Sequence, residues 1–345
     1  MEAPPSPPTS TRSRIASAFE HPLRTLLIVA VALIAIAAVN VRIPYYAQGP
    51  GPAHEVTPLI RFEDRERYDP GGSLLWTTIR TEPLTPLGAF LAWLDPNREV
   101  VAEDVLYPPG VSRQEESQRS ISQMDSSKID ATTVVLGLLE DYPEEHGRGA
   151  LVQGTTAGCP ADGELFPGDV IVEIDGRPIR SQADASAAID ATGLGQELTF
   201  VVDVDGELEE ARFVRGRCGG EGKLLVGVVL QDEFPFGVTI ETGDVGGPSA
   251  GLMWAVGLYE LLTPNDLTRG RTVAGTGEID PFGNVRPIGG IRDKVVAAER
   301  AGATIFLAPI DNMPELSGVD TGDMVVVPVR TFGDAIDALA QGATA

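Results

Sequence analysis

The longest apolar stretch of the chain lies near its N-terminus. Over residues 25–41 the only polar side chains are Thr25 and Asn40, and arginines precede the stretch. This length is close to the minimum that crosses a hydrocarbon core of about 30 Å, and the basic flank orients such a helix with its N-terminus inside. We therefore predict a disordered cytoplasmic tail over residues 1–24 and a transmembrane helix over residues 25–41. A cleaved signal peptide is the alternative, because Ala35-Ile36-Ala37 offers a cleavage site. Either way the rest of the chain leaves the cytoplasm.

Beyond this segment the hydrophobic pattern changes from strand-like to helical. Ser73–Arg80 is rich in β-branched and aromatic residues, which predicts a strand. Within Ser120–Asp141 the apolar residues recur at helical spacing, which predicts a helix. These elements belong to the first part of the ectodomain, residues 43–142, which ends in the polar break Tyr142–Gly149.

Residues 149–217 have the pattern of a compact, strand-rich unit. Asp169–Ile174 alternates apolar and polar residues and ends in Asp175-Gly176, a strong signal for a two-residue turn. Ser181–Thr192 then suits a helix with a serine N-cap. A further hairpin is predicted around Asp205-Gly206.

The segment PADGELFPGDVIVEIDGRPI, Pro160–Ile179, resembles the PDZ domains of bacterial periplasmic proteases. The resemblance implies a domain that binds an extended peptide as an added strand. It places the groove between Ala150–Gln153 and the helix Ser181–Thr192. The peptide-binding residues would be Gly149, Ala150, Leu151 and Val152. The GLGF-like loop of the family is absent, and Gly147-Arg148-Gly149 stands in its place. A PDZ fold that only packs against its neighbour is the alternative.

The only two cysteines, Cys159 and Cys218, lie near the start and the end of this module. Outside the cytoplasm a disulfide between them would persist. Two buried free thiols are the alternative.

Composition excludes several classes of function. The 345 residues include 26 Lys and Arg against 50 Asp and Glu, a net charge of −24. A surface this acidic repels the phosphate backbone of nucleic acids. The sequence has no CxxC, no HExxH and no GxxxxGK[ST], which argues against a zinc site and against a P-loop for ATP. We therefore predict no metal, no cofactor and no nucleic-acid partner.

A candidate nucleophile lies in the last part of the chain, residues 223–345, whose pattern is that of an α/β domain. Here Gly246–Gly251 (GGPSAG) runs directly into an apolar helix, Leu252–Leu262. Glycines on both sides of Ser249 leave room for a substrate backbone, and the helix N-terminus offers N–H groups to an oxyanion. A serine that only caps the helix is the alternative.

A serine nucleophile needs a base, and none of the three histidines lies where a triad histidine belongs. A lysine can serve instead if burial depresses its pKa. In a helix over Gly290–Gly302, Lys294 falls within the apolar arc formed by Ile291, Val295 and Ala298, whereas the other charged residues face the opposite side. A lysine that snorkels at the edge of the stripe is the alternative.

Three segments, in the family's order and at compatible spacing, resemble the proteolytic domain of Lon, a Ser-Lys peptidase. They are Gly247–Gly251 (GPSAG), Thr276–Ile279 (TGEI) and Pro287–Lys294 (PIGGIRDK). The resemblance implies that Ser249 is the nucleophile and Lys294 the general base. It also implies that Thr276 holds the lysine, with Gly247 and Pro248 as active-site support.

Two features set the sequence apart from a simple Lon domain. Many Lon sequences carry an acidic residue within three positions before the serine, whereas here the nearest is Asp244. Only about 26 residues separate Lys223 from Ser249, too few for the layers that precede the serine. We therefore predict an α/β (α+β) Lon-type proteolytic domain with an inserted β-rich PDZ domain and one N-terminal transmembrane helix. Membrane-anchored bacterial proteins that lack the ATPase domain have this arrangement.

The resemblance implies an ATP-independent serine endopeptidase on the outer face of the cytoplasmic membrane. Its partners would be unfolded or flexible polypeptide substrates, a peptide ligand of the PDZ groove, and the membrane. A homo-oligomer is expected because Lon-type domains commonly form rings. The alternative is a catalytically silent PDZ scaffold, although such a protein would be expected to lack Ser249 or Lys294, and both are present.

Overall fold

The computed structural model describes residues 22–342 except residues 63, 108–109, 141, 143–148, 220–225 and 244. The tail predicted over residues 1–24 therefore lies almost entirely outside the described residues, as do Gly147, Arg148 and Asp244. The chain divides into two compact units. Residues 1–49 and 80–108 belong to a smaller unit, and residues 50–79 and 109–345 to a larger one.

Eight α-helices lie within the described residues. They are α1 (Pro22–Asn40), α2 (Pro86–Leu94), α3 (Glu103–Leu106), α4 (Arg113–Leu139), α5 (Gln182–Ala191), α6 (Gly251–Leu262), α7 (Ile291–Arg300) and α8 (Phe332–Gln341). The strands of the described residues are β1 (Tyr45–Glu55), β2 (Ile60–Phe62), β3 (Ser73–Pro83), β4 (Glu99–Ala102), β5 (Ala150–Thr155), β6 (Val170–Ile174), β7 (Arg177–Pro178), β8 (Glu197–Val204), β9 (Glu207–Val214), β10 (Val228–Asp232), β11 (Val238–Ile240), β12 (Thr272–Gly275), β13 (Glu278–Ile279), β14 (Val285–Arg286), β15 (Ile305–Pro309) and β16 (Val325–Val329).

The smaller unit contains the predicted transmembrane segment. Helix α1 is long and apolar enough to cross a membrane, and none of its window Leu23–Asn40 is buried; a signal sequence can have the same length and composition. After α1, the first residues of β1 pair antiparallel with β4. A small core of Ala47, Leu84 and Ala92 joins this pair to α2.

The larger unit is built on a sheet with strand order β16-β15-β12-β3-β1. Strand β12 lies parallel to β3 on one side and to β15 on the other. Side chains alternate between two faces, as in any strand. Leu74 and Trp76 pack under α6 and α8, whereas Leu75 packs under α7. This mixture of helices and strands confirms the predicted fold class.

Two segments far apart in sequence share this sheet. Strand β3 precedes the strand-rich module and β12 follows it, yet the two strands are neighbours. Helix α4, also before the module, packs on α6, whose residues Leu252–Leu258 are buried without exception. Both observations support the insertion of the module into a split domain.

The module itself forms a second sheet with strand order β10-β5-β6-β8-β9, and β7 pairs with β6. Helix α5 packs on this sheet through Ala185, Ala188 and Ile189. The Sγ atoms of Cys159 and Cys218 are joined in a disulfide. The bond ties the turn after β5 to the segment after β9.

The module extends further than its predicted end at residue 217. Strand β10, which we expected in the C-terminal catalytic part, pairs antiparallel with β5 and belongs to the module's sheet. Strand β5 lies between β10 and β6, so the backbone groups on both of its edges find partners. The module therefore includes residues on both sides of the undescribed segment 220–225.

Candidate active site

Ser249 lies in a tight turn that precedes α6. The turn is a 3₁₀ helix, Pro248–Ala250, and the α-helix begins at Gly251, so the serine lies just before the first α-helical turn. Gly247 has a φ of 93°, a conformation that favours glycine. Its N–H donates to the carbonyl oxygen of Ser120 at 2.7 Å, so it is not available to an oxyanion. The turn is thus fixed directly against α4.

Helix α4 also holds the turn from below. The buried hydroxyl of Ser127 donates to the carbonyl oxygen of Pro248 at 2.9 Å. A Cβ atom on Gly251 would lie 2.5 Å from Ser127 Oγ, and one on Gly246 would lie 2.3 Å from Ser120 Oγ. Glycines on both sides of the serine therefore let α4 approach the backbone closely, besides leaving room for a substrate.

Lys294 points into the core from α7 and is 3% exposed. Its Nζ lies 2.6 Å from Ser249 Oγ and 3.0 Å from Thr276 Oγ1. The first turn of α7 follows Gly290, whose φ is 66°. The apolar arc that holds Lys294 is formed by Ile291, Val295 and Ala298, all buried against the central sheet.

Thr276 orients the amine of Lys294. Its hydroxyl donates to the carbonyl oxygen of Ser249 at 2.8 Å. A hydroxyl has one proton, so towards Lys294 the Thr276 oxygen can only accept. A neutral lysine amine that donates to Thr276 keeps its lone pair for the hydroxyl proton of Ser249. The N–H of Gly277 also donates to the Ser249 carbonyl at 2.8 Å, which fixes the serine backbone against this loop.

Burial lowers the pKa of Lys294 from 10.5 to about 8. Desolvation disfavours the ammonium form and is the cause of the shift. Among the described residues, no charged group contributes to this shift of the Lys294 pKa. About half of this lysine is therefore neutral at pH 8, and the neutral form is the one that can act as a general base.

The structure brings Ser249, Lys294, Thr276, Gly247 and Pro248 together. It also adds Ser120 and Ser127, which sequence reasoning did not single out. Both lie on a helix that the apolar periodicity predicts, but a serine on a helix gives no sign that it faces a turn more than 100 residues away in sequence. Asp244 lies outside the described residues.

The predicted peptide groove needs a correction. We expected a peptide to add beside Ala150–Gln153, but β5 already has strand neighbours on both edges. Ala150, Leu151 and Val152 are buried, and a Cβ on Gly149 would lie 2.6 Å from the Ile171 carbonyl oxygen. Within the described residues, the outermost strand of this sheet on the side of α5 is β10 instead. Here the N–H of Gln182 at the start of α5 donates to Asp232 Oδ1 at 2.7 Å.

Comparison with known proteins identifies both domains. Residues 237–341 match the model of the Lon protease C-terminal proteolytic domain, and residues 129–203 match that of the PDZ domain. The chain is 39% identical over 112 residues to Lon protease 2 of Herpetosiphon aurantiacus, which covers 32% of this chain and 13% of that protein. It is 42% identical over 119 residues to Lon protease 1 of Bacillus subtilis, with coverages of 34% and 15%. The chain thus spans only a small part of the length of these relatives.

A solved structure also matches part of the chain. The PDZ domain of an SdrC-like protein from Listeria innocua is 24% identical and covers 25% of this chain and 97% of its own, with a TM-score of 0.23. The PDZ assignment rests on the family model, which begins within α4. The chain therefore carries a region that matches the Lon-type proteolytic domain, together with a PDZ domain and one N-terminal helix apolar enough to cross a membrane.

Proposed function

We propose that this protein is a serine endopeptidase in which Ser249 is the nucleophile and Lys294 the general base. The observation that carries the proposal is the 2.6 Å distance between Lys294 Nζ and Ser249 Oγ, at a lysine whose pKa is lowered to about 8. A buried lysine beside a serine hydroxyl can accept the proton that a neutral-pH nucleophile must lose.

The reaction proceeds in two halves. Lys294 takes the hydroxyl proton of Ser249 while Oγ attacks the carbonyl carbon of the scissile peptide bond. The resulting ammonium gives that proton to the leaving amine, and the C–N bond breaks to leave an acyl-enzyme. Lys294 then takes a proton from water, which attacks the ester, and returns it to Ser249 Oγ as the acid product departs.

Thr276 is a positioning residue in this scheme. Its hydroxyl bridges the Ser249 carbonyl and the lysine amine, so it fixes the direction of the lone pair in both halves of the reaction. Holding two reacting groups in the right geometry is worth several orders of magnitude in rate.

The site of action we propose is the outer face of the cytoplasmic membrane, with α1 as a single-pass anchor and its N-terminus inside. The Arg-rich flank before α1 and the disulfide of Cys159 and Cys218 both favour this orientation. The sequence contains no P-loop, so we propose ATP-independent cleavage of segments that are already unfolded or flexible. The PDZ module would bind a peptide, with the edge of β10 beside α5 as the place of strand addition.

Reaction with a serine-directed fluorophosphonate probe tests the catalytic assignment. The parent chain should be labelled at Ser249 and should cleave an unfolded protein such as reduced casein. Ser249→Ala should lose both activities, and the lost hydrogen bond to Lys294 should cost about 1 kcal/mol of stability. A silent PDZ scaffold would show neither labelling nor cleavage in the parent chain, and cleavage by Ser249→Ala would place the nucleophile elsewhere.

A further inference from the structure

Helix α2, in the smaller unit, turns its large apolar side chains outward. Its small residues face the unit, with Ala92 buried and Gly88 and Ala89 half-buried. Its large apolar residues are all exposed: Leu87, Phe90, Leu91, Trp93 and Leu94. A surface helix in water has the opposite arrangement, with its apolar stripe against the core.

The exposed residues of α2 form one continuous face. At 3.6 residues per turn, the five side chains fall within an arc of roughly 160°. Phe90 and Trp93 are 55% and 74% exposed, and their ring centroids lie 6.3 Å apart. No residue of α2 is charged, although the chain has a net charge of −24. Contiguous apolar faces of this kind mark a surface that something else covers.

The backbone places the start of α2 next to the end of α1. Helix α1 ends at Asn40, and the N–H of Ile43 donates to the carbonyl oxygen of Leu84 at 2.9 Å. The N–H of Leu84 donates in return to the carbonyl oxygen of Tyr45 at 2.9 Å. Thr85 then caps α2, and the two helices contact each other. The apolar face of α2 thus begins within a few residues of the point where α1 ends.

We propose that α2 is a second membrane-binding element, an interfacial helix whose exposed face inserts into the lipid bilayer. We assign lipid as the partner that covers this face because the face is continuous with α1, whose apolar side chains are also exposed. Helices of this kind lie in the plane of the interface with their apolar face at the boundary between headgroups and acyl chains. Tryptophan is enriched at this depth. The inference rests on the proposed anchoring by α1.

Trp93 provides a direct test. The chain has three tryptophans, and Trp76 and Trp254 are buried in the core of the larger unit. The full chain is reconstituted in vesicles of phosphatidylcholine and phosphatidylglycerol brominated either near the headgroup or near the acyl-chain end. We expect quenching of tryptophan emission, larger with the shallow bromines than with the deep ones. Trp93→Phe should lose this quenching, which assigns the signal to α2.

Matched variants separate α2 from α1. Phe90→Glu combined with Leu91→Glu should abolish the quenching of Trp93, while the chain still floats with the vesicles through α1. Leu208→Glu combined with Val214→Glu introduces the same two charges at exposed apolar positions of β9 and should leave the quenching intact.

Three outcomes would overturn the proposal. If the parent chain floats with the vesicles but Trp93 is not quenched, α2 does not insert into lipid, whereas the anchoring by α1 is retained. A chain that does not float would remove the anchoring by α1 and the inference with it. Intermolecular disulfides through Phe90→Cys, in a chain whose Trp93 is not quenched, would show that a second copy covers the face.

Discussion

Ser127 on α4 donates a hydrogen bond to the carbonyl oxygen of Pro248, the residue immediately before the proposed nucleophile. The two residues are 121 positions apart in sequence, and the PDZ module lies between them. The geometry of the serine turn therefore depends on a helix that is made long before the turn itself.

Ser127→Ala should lower both kcat and the free energy of unfolding. It leaves the Pro248 carbonyl without its partner, at a cost of about 1–3 kcal/mol, and it loosens the turn that aims Ser249. We expect kcat to fall by roughly tenfold while KM changes little. Ser126→Ala is the matched control, since its hydroxyl donates to Gln153 in the module. Equal loss of kcat in both variants would indicate a general effect on α4 instead.

Activity should rise with pH through the lowered pKa of Lys294, at about 8, and persist above it. The reason is that only the neutral amine can accept the proton of Ser249. The measurement is kcat/KM against pH on an unfolded substrate. Lys294→Arg should be inactive at every pH because guanidinium does not release its proton in this range. An active Lys294→Arg protein would place the base elsewhere.

Lys294→Met should raise the free energy of unfolding at pH 7. Between the lowered pKa and 10.5 the unfolded chain binds a proton that the folded chain does not, so the lysine destabilises the fold as pH falls through this window. The gain should be at most about 3 kcal/mol below pH 8 and should vanish above pH 10.5. Denaturant unfolding of the parent and the variant at several pH values gives the difference. A gain independent of pH would assign it to packing alone.

Glu260→Gln should also stabilise the protein, but with a different pH dependence. Glu260 is buried in α6, where desolvation raises the pKa of its carboxyl group to about 7 while Oε2 accepts from the N–H of Leu267 at 2.9 Å. The penalty of the charge grows as pH rises from about 4.5 to 7 and is constant above. Glutamine keeps the acceptor, so we expect a gain of roughly 1–2 kcal/mol at pH 8 and none near pH 4.5. A gain at pH 4.5 equal to that at pH 8 would contradict this cause.

Removal of the module should succeed only if β10 leaves with it. Replacing residues 149–232 by a Gly/Ser linker should leave a chain that unfolds cooperatively and is labelled at Ser249. The two ends of the replaced segment lie close together, because the hydroxyl of Tyr142, just before it, donates to the carbonyl oxygen of Asp232 at its end. Replacing only residues 149–217 removes β5 but leaves its partner β10 in the chain. The unpaired β10 should destabilise the chain or cause it to aggregate. The reverse result would assign β10 to the protease part.

The sequence predicts which residues of this site react better than it predicts which residues hold them in place. The helical arc that turns Lys294 inward can be computed from side-chain periodicity alone, and the structure shows Lys294 buried. The contacts of Ser120 and Ser127 depend on how α4 packs, which no local pattern contains. Helix α4 also starts earlier than predicted, at Arg113, because its first turns are polar and only a capping box of Ser112 and Glu115 marks them.

The same limit explains the two larger differences. The apolar run at β10 indicates a strand but not its sheet, because strand pairing is decided by which edge remains open. Helix α2 is not among the predicted elements, and its large apolar residues are exposed, although apolar residues at helical spacing normally indicate a face buried against the core. In both places the tertiary partner, rather than the residue pattern, determines the outcome.

Helix α4 carries two pairs of contacts with the same spacing of seven residues. Ser120, through its carbonyl oxygen, and Ser127, through its hydroxyl, form hydrogen bonds with the serine turn. In the second pair, the hydroxyl of Ser126 donates to the carbonyl oxygen of Gln153 in the module, and the hydroxyl of Thr133 lies 3.1 Å from Gln231 Oε1. Neighbouring residues differ by about 100° around a helix axis. A single residue inserted between positions 120 and 126 would therefore rotate Ser120 by about 100° relative to Ser126, Ser127 and Thr133, and the serine turn would lose one of its two contacts with α4. The register of α4 thus determines both the position of the serine turn and the contacts of the helix with the module.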